Sequence, residues 1–253
     1  MKKIYFLAMC CLAMCLSAYS GDKGSEKGHE WVDLGLPSGT KWATCNIGAK
    51  NPQEYGNYYA WGEVTTKSIY NSSTYKYRNS DGQLTKYDIT KYDIESRYGK
   101  NGFADGKTTL ELEDDAAYVN WGGKWMMQTM VQLMELRNEC YWEWTEDYNG
   151  SGVAGCIVYK AKAEADKGKY VYKGKTPSSS YSLSDAHIFL PAAGYRYDVD
   201  LDYAGSEGTY WSSSLNTDYP LDALSVGFDS DDVNYGSVDR CCGQSVRAVI
   251  PGE

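Results

Sequence analysis

Residues 31–49 read WVDLGLPSGTKWATCNIGA and carry the strongest structural signal in the chain. Residues 36–39 (LPSG) place a proline at the second position of a turn, where its fixed φ angle is favourable. The stretches Thr40 to Ile47 and Tyr58 to Val64 have the aromatic and β-branched content of strands. The segment therefore predicts that the folded region begins near Trp31 with short strands joined by tight turns.

The first twenty residues have the pattern of a signal peptide. Two lysines precede the apolar run Ile4 to Leu16, and small residues stand one and three positions before a cut after Ser20. No later apolar run is long enough for a transmembrane helix. The mature chain would hold 233 residues and be exported, either secreted or at the cell surface. Lipid attachment at Cys15, which would make an outer-membrane lipoprotein, is an alternative that the methionine before this cysteine disfavours.

Charge and composition exclude several classes of function. Loss of the two lysines in the signal changes the net charge from −9 to −11, so neither nucleic acid nor an anionic membrane surface is a predicted partner. Aromatic residues form 14% of the chain, which is enough to build a core and argues against disorder. None of the cysteines lies in a CxxC motif, so a zinc ribbon or a thioredoxin-like site has no support.

The mature chain divides by composition. Residues 21–30 are polar and are predicted to form a flexible leader before a domain that spans residues 31–251. Residues 65–109 are rich in Ser, Thr, Asn, Lys and Tyr, with four glycines as breakers. They predict a long excursion on the surface, and loops of this length in compact domains are often functional.

Two short helices are predicted after that excursion. Asp114 or Asp115 can cap the first, which ends at two glycines, and residues 129–132 (TMVQ) form a capping box for the second, which runs to about Glu139. Helical spacing in the second places four residues on one face, namely Met130, Leu133, Met134 and Arg137, and predicts a core face.

Strands return after the helices. A hairpin is predicted from Tyr141 to Thr145 and Cys156 to Lys160, and further short strands are predicted at residues 188–190, 209–213, 224–228 and 245–250. Strands, then two helices, then strands again indicate an α+β domain.

Four sequence blocks carry a family resemblance. They lie at residues 32–46, at 55–63, at 119–125 with Cys140, and at 189–196 with 210–213 and 245–247. Together they resemble the Fibrobacter succinogenes major paralogous domain family of exported proteins. The resemblance implies a C-type lectin-like fold with short antiparallel strands, two short helices and long loops, in which a strand at 32–36 pairs with one at 245–250. Since Cys45 and Cys140 both belong to the matching blocks, they are predicted to form a disulfide.

Metal binding is weakly indicated. The sugar-binding motifs of C-type lectins, Glu-Pro-Asn or Gln-Pro-Asp with Trp-Asn-Asp, are missing, so the resemblance does not imply calcium-dependent sugar binding. Asp198, Asp200 and Asp202 could converge on calcium if their loop is irregular. On an extended strand the same carboxylates would share a solvent face. No other cofactor is predicted.

Catalysis is not predicted, because histidine is scarce. His29 lies in the leader, and His187 precedes an apolar run, where it reads as a residue at the end of a strand. The adjacent Cys241 and Cys242 lack the spacing of a reactive pair in formylglycine-type chemistry.

Tyrosine supplies the remaining functional hypothesis, since the chain has 24 of them and eight tryptophans. Tyrosines in the late loops are predicted to form a recognition surface, because they offer large contact area with few rotors; they are Tyr195, Tyr197, Tyr203, Tyr210 and Tyr219. The leading hypothesis is an exported, non-enzymatic binding or adhesion module for a glycan or a surface protein. A structural cell-surface protein without a small ligand is the first alternative, and an exported enzyme is the second.

Overall fold

A computed structural model describes residues 22–78, 88–171 and 177–252 of the chain. This part is a mixed α+β structure with mostly antiparallel sheets and two α-helices, as predicted. The predicted signal peptide, including Cys15, lies outside the described residues. In the part that is described, no helix combines the length and the apolar character that crossing a bilayer requires.

The strands and α-helices are numbered along the chain. The strands are β1 (Lys23–Glu26), β2 (His29–Asp33), β3 (Lys41–Ala43), β4 (Tyr58–Tyr59), β5 (Met126–Met127), β6 (Cys140–Thr145), β7 (Gly155–Lys160), β8 (Tyr170–Val171), β9 (His187–Pro191), β10 (Tyr195–Tyr197), β11 (Asp200–Asp202), β12 (Gly208–Leu215), β13 (Asp222–Phe228), β14 (Val233–Asp239), β15 (Gln244–Ser245) and β16 (Ala248–Ile250). The helices are α1 (Ala116–Trp121) and α2 (Met130–Glu139).

The first sheet joins both ends of the described chain, in the order β1-β2-β3-β16-β5. The expected direct pairing of the first and last strands is wrong, because β3 lies between them. Strand β16 pairs with β3 on one side and β5 on the other, and Val249 lies opposite Trp42 and Met126. The ends of the domain therefore share one sheet without touching as neighbours.

The expected flexible leader is also ordered. Strands β1 and β2 form a hairpin in which Glu26 lies opposite His29. The two turn residues, Lys27 and Gly28, both have positive φ angles (51° and 82°), which matches the twist of a two-residue hairpin turn. Trp125 Nε1 donates to the Glu26 carbonyl at 2.9 Å and ties the hairpin to the domain.

The other sheets hold most of the remaining chain. One has the order β14-β13-β12-β15-β4, another has the order β8-β6-β7-β9, and β10 and β11 form a two-stranded hairpin. In the first of these, paired indoles tie β12 to β4 and the residues after it: Trp61 Nε1 donates to the Ser212 carbonyl, and Trp211 Nε1 donates to the Tyr59 carbonyl, each at 2.8 Å. The predicted hairpin of β6 and β7 is confirmed by its antiparallel register.

Both predicted helices are confirmed. Asp115 caps α1 by accepting from the backbone of Ala117 and Tyr118, and Thr129 forms the expected capping box at the start of α2. The predicted core face of α2 is wrong in part. Met134 is 44% exposed, whereas Leu136 is fully buried. The buried face therefore turns toward Leu133 and Leu136, where β6 and β7 supply apolar neighbours.

Residues 65–109 carry little regular structure, but they are not a simple surface loop. In their described parts, four tyrosines are buried in the main core, namely Tyr70, Tyr75, Tyr77 and Tyr92. The buried Arg240 fixes this segment from the other end of the chain. It donates to Tyr75 Oη at 3.0 Å, to the carbonyls of Lys91 and Tyr92 at 2.9 and 2.8 Å, and to the Pro220 carbonyl at 2.9 Å.

The predicted disulfide between Cys45 and Cys140 is not formed, since both are free thiols. Cys140 is buried in the apolar cluster that contains Leu133, Leu136 and Val158. Cys45, by contrast, is partly exposed and lines a cleft. A covalent link would have to draw one of these thiols out of its own environment.

Candidate functional site

The β10–β11 hairpin presents an exposed set of tyrosine and aliphatic side chains. Tyr197 and Tyr203 are 54% and 55% exposed. Tyr195 is partly buried and stacks on Tyr203 with ring centroids 5.8 Å apart. Val199 and Leu201 between them are also exposed. We call these five residues the hairpin surface.

The hairpin surface stands on a braced backbone. Asp198 has a φ angle of 53°, a left-handed conformation that aspartate tolerates better than most residues. Its backbone exchanges two hydrogen bonds with Tyr70, and the backbone of Arg196 exchanges two with Gly243. The Arg196 guanidinium also lies over the Tyr58 ring, 5.2 Å from its centroid. Strand β10 and the turn that follows it are therefore held by distant segments of the chain.

Two of the predicted contact tyrosines do not join this surface. Tyr210 is 1% exposed, so its prediction as a contact residue is wrong. Its hydroxyl donates to the Pro191 carbonyl and accepts from Asn46 Nδ2, each at 3.1 Å, and burial raises its pKa to about 12. Tyr219 is exposed, but its ring packs edge-on against Tyr98 rather than against the hairpin tyrosines.

The three aspartates proposed for calcium do not converge in the described structure. Asp198 accepts a hydrogen bond from Asn71 Nδ2 at 2.9 Å. Asp200 and Asp202 alternate along β11 and so share one face of an extended strand, which spreads their carboxylates apart. This is the solvent-facing arrangement that the sequence left open as the alternative.

A different acidic cluster does bring three carboxylates together, at Glu111, Glu113 and Asp114. Lys91 Nζ already fills its centre, with ion pairs of 2.7, 2.9 and 2.5 Å to the three residues. Burial alone would raise the pKa of Asp114, but hydrogen bonds led by that from Lys91 hold it well below its ordinary value. An ammonium group thus takes the position that a cation would need.

A cleft of about 920 Å³ lies between the β1–β2 hairpin, the segment after β3, the end of α1 and the start of β9. Both histidines of the chain line it. His29 stacks on Trp121 with ring centroids 3.8 Å apart and planes 8° apart, and burial lowers its pKa. Sequence reasoning missed this site because it treated residues 21–30 as a tether. The Lys27-Gly28 turn signal was the available clue.

His187 is held in one tautomer at the floor of the cleft. Its Nδ1 lies 2.8 Å from the Asp185 carbonyl and therefore donates, which leaves Nε2 to accept from Tyr148 Oη at 3.0 Å. Burial chiefly lowers the pKa of His187, and the charge of Lys23 lowers it further. The imidazole is thus neutral near pH 7, with both nitrogens engaged.

Arg247 lies fully buried behind the cleft wall. Its guanidinium donates to Asn46 Oδ1 at 2.9 Å, to the carbonyls of Ala43 and Thr44 at 3.0 and 3.1 Å, and to the Phe189 carbonyl at 2.7 Å. It makes no ion pair with any described carboxylate. Arg247 therefore fixes the segment that carries Cys45 against β9 and leaves a buried positive charge beside the cleft.

Comparison with known proteins gives no further guide. No protein-family model matches the chain, and neither a curated protein nor a solved structure does.

Proposed function

We propose that this protein is an exported, non-enzymatic binding module that recognises a glycan or a surface protein through the hairpin surface. The observation that carries the proposal is the exposure of Tyr197 and Tyr203, each more than half open to solvent, on a hairpin braced by backbone hydrogen bonds. Large aromatic side chains gain free energy when a partner covers them. Tyr195 and Tyr197 lie on one face of the hairpin, opposite Asp202 and Asp200 in the strand pairing, and the exposed Val199 lies in the adjoining turn. Exposed aromatic and aliphatic side chains in one region are typical of interaction sites.

The bracing matters as much as the exposure. A partner that binds a mobile loop must order it, which costs affinity, whereas the backbone of this hairpin is already fixed by Tyr70 and Gly243. The stack of Tyr195 on Tyr203 restricts the second ring in the same way. Recognition by this surface therefore needs little reorganisation of the protein.

Two wider features belong to the same proposal. Export rests on the signal-peptide pattern at residues 1–20, and the C-type lectin-like fold of the Fibrobacter succinogenes major paralogous domain family rests on the matching sequence blocks. The α+β architecture supports the fold, as does the sheet that holds strands from both ends of the domain. The non-enzymatic part of the proposal rests on the scarcity of histidine, since the chain has only His29 and His187.

The test compares binding of the full chain with that of a Tyr197→Ala, Tyr203→Ala double variant, on a glycan array and on intact host and bacterial cells. Both side chains are exposed, so we expect the thermal midpoint to stay unchanged and binding to fall at least about tenfold. Tyr118→Ala is the matched control, because this exposed tyrosine lies on α1, outside the hairpin. Equal binding by the double variant and the wild type refutes the proposal. Failure of the wild type to bind any glycan or cell, with assembly into particles, would replace it with the structural role.

A further inference from the structure

The cleft forms a second candidate binding site, separate from the hairpin surface. None of the residues that line it belongs to residues 195–203. Its volume of about 920 Å³ lies in the range that proteins use for small molecules. Its walls come from segments that are far apart in sequence, so the closed fold is needed to create it.

Three charged side chains that line this cleft form no ion pair within the described residues. Lys23, Glu30 and Lys50 line it, and within the described structure none of their side chains makes an ion pair. The neighbouring Glu54 is engaged by the backbone N–H of Lys50 and by the Asn51 amide. The lining residues thus include two lysines and one glutamate, the histidines are neutral, and Arg247 adds a buried positive charge behind the wall, while the nearby Glu54 carboxylate offsets part of the Lys50 charge. In a chain of net charge −9 this is a locally positive site, which favours an anionic ligand.

The two tryptophans that line the cleft differ from most others in their indole N–H groups. Five tryptophans donate their Nε1–H to a described oxygen, namely Trp61, Trp125, Trp142, Trp144 and Trp211. The two that line the cleft, Trp31 and Trp121, have no such partner among the described residues. Because neither Nε1 is a buried unsatisfied atom, both remain accessible to a hydrogen-bond acceptor on a ligand.

The ring faces of Trp31 and Trp121 are partly covered by other residues, which disfavours ligands that bind by stacking. His29 stacks on one face of Trp121. Lys41 Nζ lies 4.4 Å from the centroid of the Trp31 ring, and Gly24 packs so closely on that ring that a side chain there would clash. A flat heterocyclic base would need an open face for stacking. Ligand hydroxyl groups can instead accept hydrogen bonds from the indole N–H groups of the two tryptophans. A purely apolar ligand would desolvate the charges of Lys23 and Lys50 without replacing their hydrogen bonds to water.

We infer that this cleft binds an acidic saccharide, whose hydroxyl groups meet the indole edges of Trp31 and Trp121 and whose carboxylate meets Lys23 and Lys50. The inference does not depend on the hairpin surface. Cys45 supplies a built-in reporter, because it lines the cleft as a partly exposed free thiol while the other described cysteines are buried.

The experiment measures alkylation of Cys45 by iodoacetamide in the full chain, followed by peptide mass spectrometry, with calorimetric titration alongside. The two acidic probes are trigalacturonic acid and sialyllactose. The neutral control for trigalacturonic acid is its methyl ester, and the neutral control for sialyllactose is lactose. We expect a dissociation constant of about 0.1–1 mM for at least one acidic probe, protection of Cys45 at saturation, and at least about tenfold weaker binding of its neutral control.

Variants assign the effect to residues. A Lys23→Met, Lys50→Met double variant removes two surface charges and should weaken the acidic probe about tenfold while leaving the neutral control unchanged. The Tyr197→Ala, Tyr203→Ala variant should bind the acidic probe as the wild type does, which separates failure of this site from failure of the hairpin surface. The inference is overturned if neither acidic probe protects Cys45, if the neutral controls bind equally well, or if adenosine monophosphate binds more tightly than both acidic probes.

Discussion

Arg240 makes the sharpest prediction about stability, because one buried side chain holds two distant parts of the chain. We consider Arg240→Met, which keeps an unbranched side chain in place of the arginine stem and removes the guanidinium with every donor. Its guanidinium donates to Tyr75 Oη and to the carbonyls of Lys91, Tyr92 and Pro220. It also lies over Trp61, 5.1 Å from the ring centroid.

The magnitude follows from these contacts. Hydrogen bonds from a charged donor contribute about 1.5–3 kcal/mol each, so four give roughly 6–12 kcal/mol before costs. Removing the guanidinium charge from water costs several kcal/mol, which offsets part of the stabilisation by these hydrogen bonds. The methionine variant does not carry this desolvation cost. The carbonyls left behind, however, lose their partner in a dry site. We therefore expect Arg240→Met to lower the free energy of unfolding by about 3–5 kcal/mol, a large share of a typical total.

Denaturant unfolding measures the total loss, and hydrogen exchange locates it. Amides that pair within the excursion, such as those of Thr90 and Asp105, should exchange about a hundredfold faster, while those of β12 and β13 change less. Arg196→Met is the matched control, because that guanidinium only covers the Tyr58 ring, and it should cost no more than about 1 kcal/mol. A loss below about 1 kcal/mol for Arg240→Met would refute the reasoning, as would exchange that rises equally in all sheets.

Three further predictions concern single groups. Iodoacetamide should modify Cys45 in the native protein well before Cys140, whose thiol pKa is raised by burial, and peptide mapping that finds Cys140 modified first would contradict the structure. Burial raises the pKa of Asp115 from its ordinary 3.8 to about 6, although three backbone N–H groups donate to it. The folded state therefore holds this proton more tightly, and its contribution to the unfolding free energy, complete below about pH 4, should fall by about 3 kcal/mol by pH 6 and above. Denaturant titrations across that range should show this slope in the wild type and lack it in Asp115→Asn. Thr129→Ala removes the capping box of α2 and should lower the free energy of unfolding by about 1 kcal/mol. The control Thr209→Ala removes a single hydrogen bond from its hydroxyl to the Gly194 carbonyl and should lower the free energy of unfolding by less. Equal losses for the two variants would argue against a stabilising cap.

Local signals in the sequence predicted local structure well. The caps of α1 and α2 depend on Asp115 and Thr129 and on backbone groups two or three residues away, so a short window contains the whole interaction. The β6–β7 hairpin is local in the same sense. Lys27-Gly28 was an equally local signal, but the polar residues around it resembled a tether, and the partner that orders them, Trp125, lies about a hundred residues away.

Features formed by residues that are far apart in the sequence could not be predicted from such local signals. Tyr197 and Tyr210 both lie in strands, and Tyr210 becomes a core residue through distant contacts: its ring stacks on Phe228, and its hydroxyl bonds to Asn46 and Pro191. No local signal marks Arg240 as a buried anchor, since three of its four acceptors lie about 150 residues away in the chain. The cleft likewise depends on segments that meet only in the folded state, so its residues carry no common motif.

The position of β16 has a consequence for how the molecule is made. This strand is the last in chain order, yet it fills an interior position between β3 and β5. Those two strands lack a ladder partner on that side until β16 itself has been synthesised. Closure of the sheet is therefore a late event over a very long sequence separation, which predicts slow folding and an unfinished chain whose open edges invite chaperones.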